Sequence, residues 1–172
     1  MSDILVIDSM VIEDMISCYG MADGEATTEV SGGHAPYSYQ WYGPNGYVST
    51  NTVISNLSAG SYSVTIRDTN NCMVNSYVTL EEPDNILFYT LGATDETCFG
   101  ACDGEIQVYV EGGTPPYIAI ATEGTTGDVI SVPMGLGNSS VVSGICSGVY
   151  NLSFTDENGC SSIVFDLRDN AA

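Results

Sequence analysis

The sequence has no lysine, two arginines (Arg67 and Arg168), one histidine (His34) and one tryptophan (Trp41), against 22 aspartates and glutamates. The resulting net charge of −20 excludes whole classes of partner. Nucleic-acid backbones are bound by Lys and Arg that displace condensed counterions, and anionic membrane surfaces by polybasic segments. The chain is suited to neither. No apolar run reaches membrane-spanning length, so membrane insertion is not expected. The opening MSDILVIDSMVIEDM is apolar but acidic and lacks the basic start of a secretory leader. An export signal is therefore expected outside this sequence, or the protein reaches its destination without one. One histidine leaves little for general acid–base work. No GxSxG, HExxH or phosphate-loop pattern occurs. The reading is of a protein that is not an enzyme.

Aliphatic, aromatic and cysteine residues make up 44% of the chain, a globular proportion. The acidity serves solubility and resistance to self-association.

The chain contains itself twice. CYGMADGEATTEVSGGHAPY (18–37) returns as CFGACDGEIQVYVEGGTPPY (98–117) at an offset of 80, and LSAGSYSVTIRDTNNC (57–72) returns as ICSGVYNLSFTDENGC (145–160) at an offset of 88. The second copy thus has eight extra residues between Tyr117 and Ile145. The boundary falls in EEPDN (81–85), after which ILFYTLG restarts what ILVIDSM began, and the domains are expected at 1–83 and 84–172.

Both copies read as β. Tyr62, Val64 and Ile66 alternate with polar residues, as do Tyr150, Leu152 and Phe154, so one face of each strand is buried. TNNC and ENGC put Asn71 and Gly159 where a tight hairpin needs positive φ. SGGHAPY and EGGTPPY are turns between strands. Many short strands without a capped helical period predict an all-β protein of two tandem immunoglobulin-like antiparallel β-sandwiches. A tyrosine opening a late strand after a glycine turn (Tyr62, Tyr150) suits such a fold.

The repeat constrains the six cysteines. Cys18 and Cys72 recur as Cys98 and Cys160, while Cys102 and Cys146 stand where the first copy has Ala22 and Ser58. Positions that gain cysteine together are most simply partners. The expected bridges are Cys18–Cys72, Cys98–Cys160 and Cys102–Cys146, the last pinning the copy with the longer middle segment. Disulfides at this density point to an oxidising, extracellular or cell-surface location.

These phrases resemble the SprB repeat, an immunoglobulin/PKD-like module found in tandem in surface adhesins of Bacteroidetes, gliding-motility adhesins among them. The resemblance rests on CYGMADG, GGHAPY and LSAGSYSVTIRDTNNC, and again on CFGACDG, GGTPPY and ICSGVYNLSFTDENGC. It implies a non-enzymatic extracellular spacer or assembly subunit on a surface, with protein or glycan partners. Two positions depart from the family pattern: the first copy ends NNC, and the second lacks the PYxYxW continuation that the first keeps as PYSYQW. A different register is therefore expected for the strand after Tyr117. With Met1 taken as a natural start, the alternative is a virion surface protein, decorating a capsid or forming a fibre. A third reading is a carbohydrate-binding module.

The individual candidates are few. Glu81, Glu82 and Asp84 at the junction form the best calcium candidate, against the simpler reading of a solvated acidic face. Tyr42 and Tyr47 flank a GPNG turn and are the candidate ligand contacts, whereas Trp41 shares a face with Tyr37 and Tyr39 and is expected in the core. Asp23 and Asp103 belong to Asp-Gly turns, and His34 occupies a turn position filled by Thr114 in the second copy. The sequons at Asn56, Asn138 and Asn151 are what a chain rich in Ser and Asn throws up by chance. ILVIDSMVI is apolar enough to pair with a neighbouring sheet edge and favour an array or filament.

Overall fold

The computed structural model describes residues 4–169, the side chains of 164–169 excepted. Its contacts divide into two units, Met1–Glu82 and Pro83–Ala172. The outermost residues of both expected domains, 1–3 and 170–172, lie outside the described residues.

The first unit runs β1 (Val6–Asp14), β2 (Gly24–Ser31), β3 (Ser38–Tyr42), β4 (Val48–Ser49), β5 (Val53–Leu57), β6 (Gly60–Arg67) and β7 (Met73–Leu80), with a 3-10 turn at Pro44–Gly46. One sheet has the order β1-β2-β5 and the other β4-β3-β6-β7, all antiparallel. The second unit repeats this as β8 (Leu87–Thr94), β9 (Gly104–Glu111), β10 (Tyr117–Glu123), β11 (Val129–Gly135), β12 (Ser139–Ile145), β13 (Gly148–Thr155) and β14 (Ser161–Asp169). Its sheets are β12-β9-β8 and β11-β10-β13-β14. Three strands facing four, joined in this order, make each unit an immunoglobulin-like sandwich.

The alternating residues face inward as expected. Tyr62, Val64 and Ile66 of β6 are buried, as are Tyr150, Leu152 and Phe154 of β13. The hairpins that follow turn through Asn71 at φ 65° and Gly159 at φ 81°, left-handed positions that Asn and Gly tolerate. Tyr62 also closes a corner, its hydroxyl donating to the Ser58 carbonyl at 2.9 Å. Tyr150 makes the mirror contact, accepting from the Cys146 N–H at 3.1 Å.

Two expectations are corrected. The strand after Tyr117 keeps its register: Ile118 pairs with Thr155 as Ser38 pairs with Arg67, the same position in each repeat. The initial strands align one residue away from the ILVIDSM/ILFYTLG match. Leu87 faces Glu111 as Val6 faces Ser31, so Ile86 takes the buried place of Leu5 rather than of Ile4. The β1 and β8 bulges fall at different points, and the burial pattern, not the letters, sets the register. ILVIDSMVI supplies β1, which stands at the edge of the β1-β2-β5 sheet. β1 pairs with β2 throughout, and Ile7, Met10 and Ile12 pack on the core.

The two cores are filled differently. Trp41 is fully buried in β3, its Nε1 donating to the Asn51 carbonyl at 2.9 Å. The same place in β10 is Ala121. There the eight extra residues extend β11 to seven residues where β4 has two. Met134 is buried, and Ile130 and Val132 pack against the core from the same strand. Phe88 and Phe154 stack with ring centroids 4.4 Å apart.

Candidate functional site

Seven strands send the chain into each sandwich at one end and out at the other. The entry pole of the first unit carries the β2–β3 and β6–β7 turns, and its exit pole the β1–β2 and β5–β6 turns. The second unit is built in the same way.

At the entry pole, buried Asp68 accepts from the backbone N–H of His34 (3.0 Å), Asn70 (2.9 Å) and Cys72 (2.8 Å). Burial pushes its pKa up, but the three amides outweigh that and hold the carboxyl below the usual aspartate value. Asp156 is caged identically by Thr114 (2.8 Å), Asn158 (3.0 Å) and Cys160 (2.9 Å). Gly33 and Gly113 adopt positive φ beside these carboxylates, where a Cβ would sit 2.9 and 3.0 Å from the acid oxygens. His34 is a wall of this turn. Its carbonyl accepts from Thr69, and its ring Nδ1 lies 2.9 Å from the Asn70 amide.

At the exit pole, Asp23 accepts from the hydroxyl and N–H of Ser17, and Asp103 from those of Thr97 at 2.7 and 2.8 Å. Hydroxyl donation first, then the amide, lowers both pKa values. Glu96 has no counterpart of its kind in the first repeat, where the position is buried Ile16. Its carboxylate is buried and accepts from the N–H of Cys102 (3.0 Å) and Gly100 (3.1 Å). The Cys102 amide is the main cause holding its pKa below the ordinary glutamate value. The corresponding amide of the first repeat, Gly20, is served from elsewhere in the chain, by Glu82 at 2.6 Å. Sequence reading missed Glu96; the signal was an acid replacing an apolar residue in an otherwise faithful repeat.

Glu82 is therefore occupied as a turn cap. Glu81 and Asp84 are exposed, and the Asp84 backbone carbonyl accepts from Gly113 at 2.8 Å. No group of three or more His, Cys, Asp or Glu is placed to hold a metal among the described residues.

The cysteines follow expectation in one bridge and depart from it in the other two. Cys102 and Cys146 are bonded, with S–S 1.98 Å and Cα–Cα 3.9 Å. Cys18 and Cys160 are also disulfide-bonded, but Cys72 and Cys98 are free and exposed. The expected bridges Cys18–Cys72 and Cys98–Cys160 do not form. Cys18 lies at the exit pole and Cys72 at the entry pole, and Cys98 and Cys160 are separated in the same way. An eight-residue strand spans about 26 Å at ~3.3 Å per residue, far beyond the roughly 4.4–6.8 Å that a disulfide allows between Cα atoms.

The tyrosine pair is also split. Tyr42 is exposed, but Tyr47 packs edge-on against Tyr62 with centroids 5.4 Å apart and belongs to the core margin. Tyr42 instead joins Tyr39, Gln40, Thr65 and Arg67 along a shallow groove on the β3–β6 face. Arg67 is engaged there by Asn71 Oδ1 at 3.2 Å. A second hollow, beside the Cys102–Cys146 bridge, contains Glu123, whose carboxylate accepts from the N–H groups of Thr125 and Thr126. Asn56 and Asn138 are exposed and Asn151 half-buried.

The SprB repeat family model matches residues 16–46 and 90–118, one segment in each unit. No curated protein matches the chain. Among solved structures, the chain is similar to a two fibronectin type-III domain segment from chicken tenascin, at 13% identity and TM-score 0.36, covering 92% of this chain and 98% of that one. It is also similar to DIP-gamma IG1+IG2, at 9% identity and TM-score 0.33, covering 91% and 94%. A third is the BSP domain of a biofilm associated protein, at 14% identity and TM-score 0.30, where the match covers 96% of this chain and 30% of that one.

Proposed function

We propose that this chain, which carries two SprB-repeat segments, is a non-enzymatic structural and adhesive segment of an extracellular surface. The observation that carries the reading is how the acidic side chains are used. Asp23, Asp68, Glu96, Asp103, Glu123 and Asp156 each bind backbone amides of the turns around them, which rigidifies the poles. A sandwich that takes the chain in at one pole and releases it at the other suits a spacer. Stiff turns at both poles suit one that bears load. The exposed carboxylates keep such a surface soluble and repel its neighbours except where specific contacts form.

Immunogold labelling of the native source, with antibody raised against the purified segment, tests this. Label on the outer cell envelope is the expected result. Label confined to the cytoplasm overturns the proposal, and label on virus particles replaces it with a virion role.

A further inference from the structure

We infer that Cys72 and Cys98 are the two halves of a head-to-tail disulfide that joins one copy of this chain to a second copy. Each repeated cysteine position occurs once bonded and once free. At the exit pole Cys18 is bonded and its equivalent Cys98 is free; at the entry pole Cys160 is bonded and its equivalent Cys72 is free. The same two turn positions are thus competent to form disulfides in this very structure. The free pair are those on the far side of each repeat from the 81–86 linker.

Neither free thiol has a partner within its own unit. Cys72 has no other cysteine at its pole, and those near Cys98, Cys102 and Cys146, are bonded to each other. Both free thiols are exposed and flanked by apolar side chains suited to contact. Phe99, next to Cys98, is 87% exposed, and Met73, next to Cys72, is 58% exposed. A second copy brings an entry-pole Cys72 with Met73 to an exit-pole Cys98 with Phe99, which makes the join heterologous and self-propagating. The net charge of −20 per copy opposes such contact, and physiological salt screens that repulsion between exposed charges.

The chemistry needs an oxidant, and a low-molecular-weight disulfide such as oxidised glutathione supplies it. The Cys98 thiolate attacks that disulfide, releasing one small thiol and leaving a mixed disulfide. The Cys72 thiolate of the second copy then attacks the Cys98 sulfur and releases the other small thiol. The protein sulfurs lose two electrons, the small disulfide gains them, and the protons of the two cysteines end on the released thiols.

The inference rests on the repeat architecture and not on surface location, so it is tested on purified full-length chain. The protein is incubated in a glutathione redox buffer at physiological ionic strength, followed by non-reducing electrophoresis and peptide mapping. A ladder of covalent oligomers carrying a Cys72–Cys98 peptide between copies is expected. Cys72→Ser and Cys98→Ser alter exposed residues. Each alone should lose the ladder, and an equimolar mixture of the two should stop at a dimer. A chain that stays monomeric, an intrachain Cys72–Cys98 link, or symmetric Cys72–Cys72 and Cys98–Cys98 links of equal yield would overturn the inference. Each of these outcomes leaves the proposed surface role standing, and cytoplasmic immunogold label leaves the disulfide result standing.

Discussion

The two repeats solve one packing problem in two ways. The first fills the space between its sheets with a single large side chain, Trp41, and closes its exit turn with buried Ile16. The second has Ala121 and Glu96 at those places. It fills its interior from a longer β11 through Met134 and secures the turn with a carboxylate cap and the Cys102–Cys146 bridge. The comparison shows that the fold is defined by strand pairing and by the two aspartate cages, which are the same in both copies. The means of filling and closing the sandwich are exchangeable. A small sandwich buries only a modest core, so whichever device it uses carries a large part of its stability.

The strongest way to break the comparison is Trp41→Ala, which gives the first repeat the side chain that the second has without giving it β11. Loss of the buried indole and of its bond to Asn51 is expected to destabilise the first unit by roughly 3–5 kcal/mol. Hydrogen exchange read by mass spectrometry should show protection lost across β2, β3 and β6 while β9, β10 and β13 keep theirs. Equal loss in both units would mean that the two do not fill their cores independently.

The converse experiment removes the device of the second repeat. Cys102→Ala with Cys146→Ala opens a loop of sequence separation 44. The expected cost is roughly 2–4 kcal/mol, because the unfolded chain regains the entropy that the bridge removed. The same exchange measurement should now show the loss in β9, β12 and β13. Unchanged protection there would mean that the Glu96 cap and β11 suffice without the bridge.

Strands, turns and the inward faces of β6 and β13 were legible because period-two alternation and Asn/Gly turn chemistry are local signals. The aspartate cages left a trace too: RDTNNC and TDENGC each place the acid four residues before the cysteine. The pairing of Cys18, Cys72, Cys98 and Cys160 was not legible. A cysteine that recurs in every repeat has the same spacing whether or not its partner lies in its own repeat, and only the strand register puts the two positions at opposite poles. The register of β1 against β8 misled for a related reason. Similar letters lined up across bulges whose positions differ. Glu96 and Tyr47 depended on burial, which one sequence does not reveal.

The smallest expected effect sharpens the comparison at a single atom. Thr28 points inward from β2, and its Oγ1 is the one buried side-chain polar atom without a hydrogen-bond partner among the described residues. The second repeat has Val108 at this position, fully buried and with nothing to satisfy. Thr28→Val replaces a hydroxyl by a methyl of nearly the same shape, so no cavity is made and the desolvation cost of an unpaired group is relieved. The first unit should gain about 1 kcal/mol, which for a domain of this size raises its melting temperature by roughly 4–8 °C. Calorimetry of the full chain should show this gain in the transition that Trp41→Ala lowers and leave the other in place. A loss of stability would mean that the hydroxyl is satisfied in solution, and that the two repeats differ here in hydration as well as in side chain.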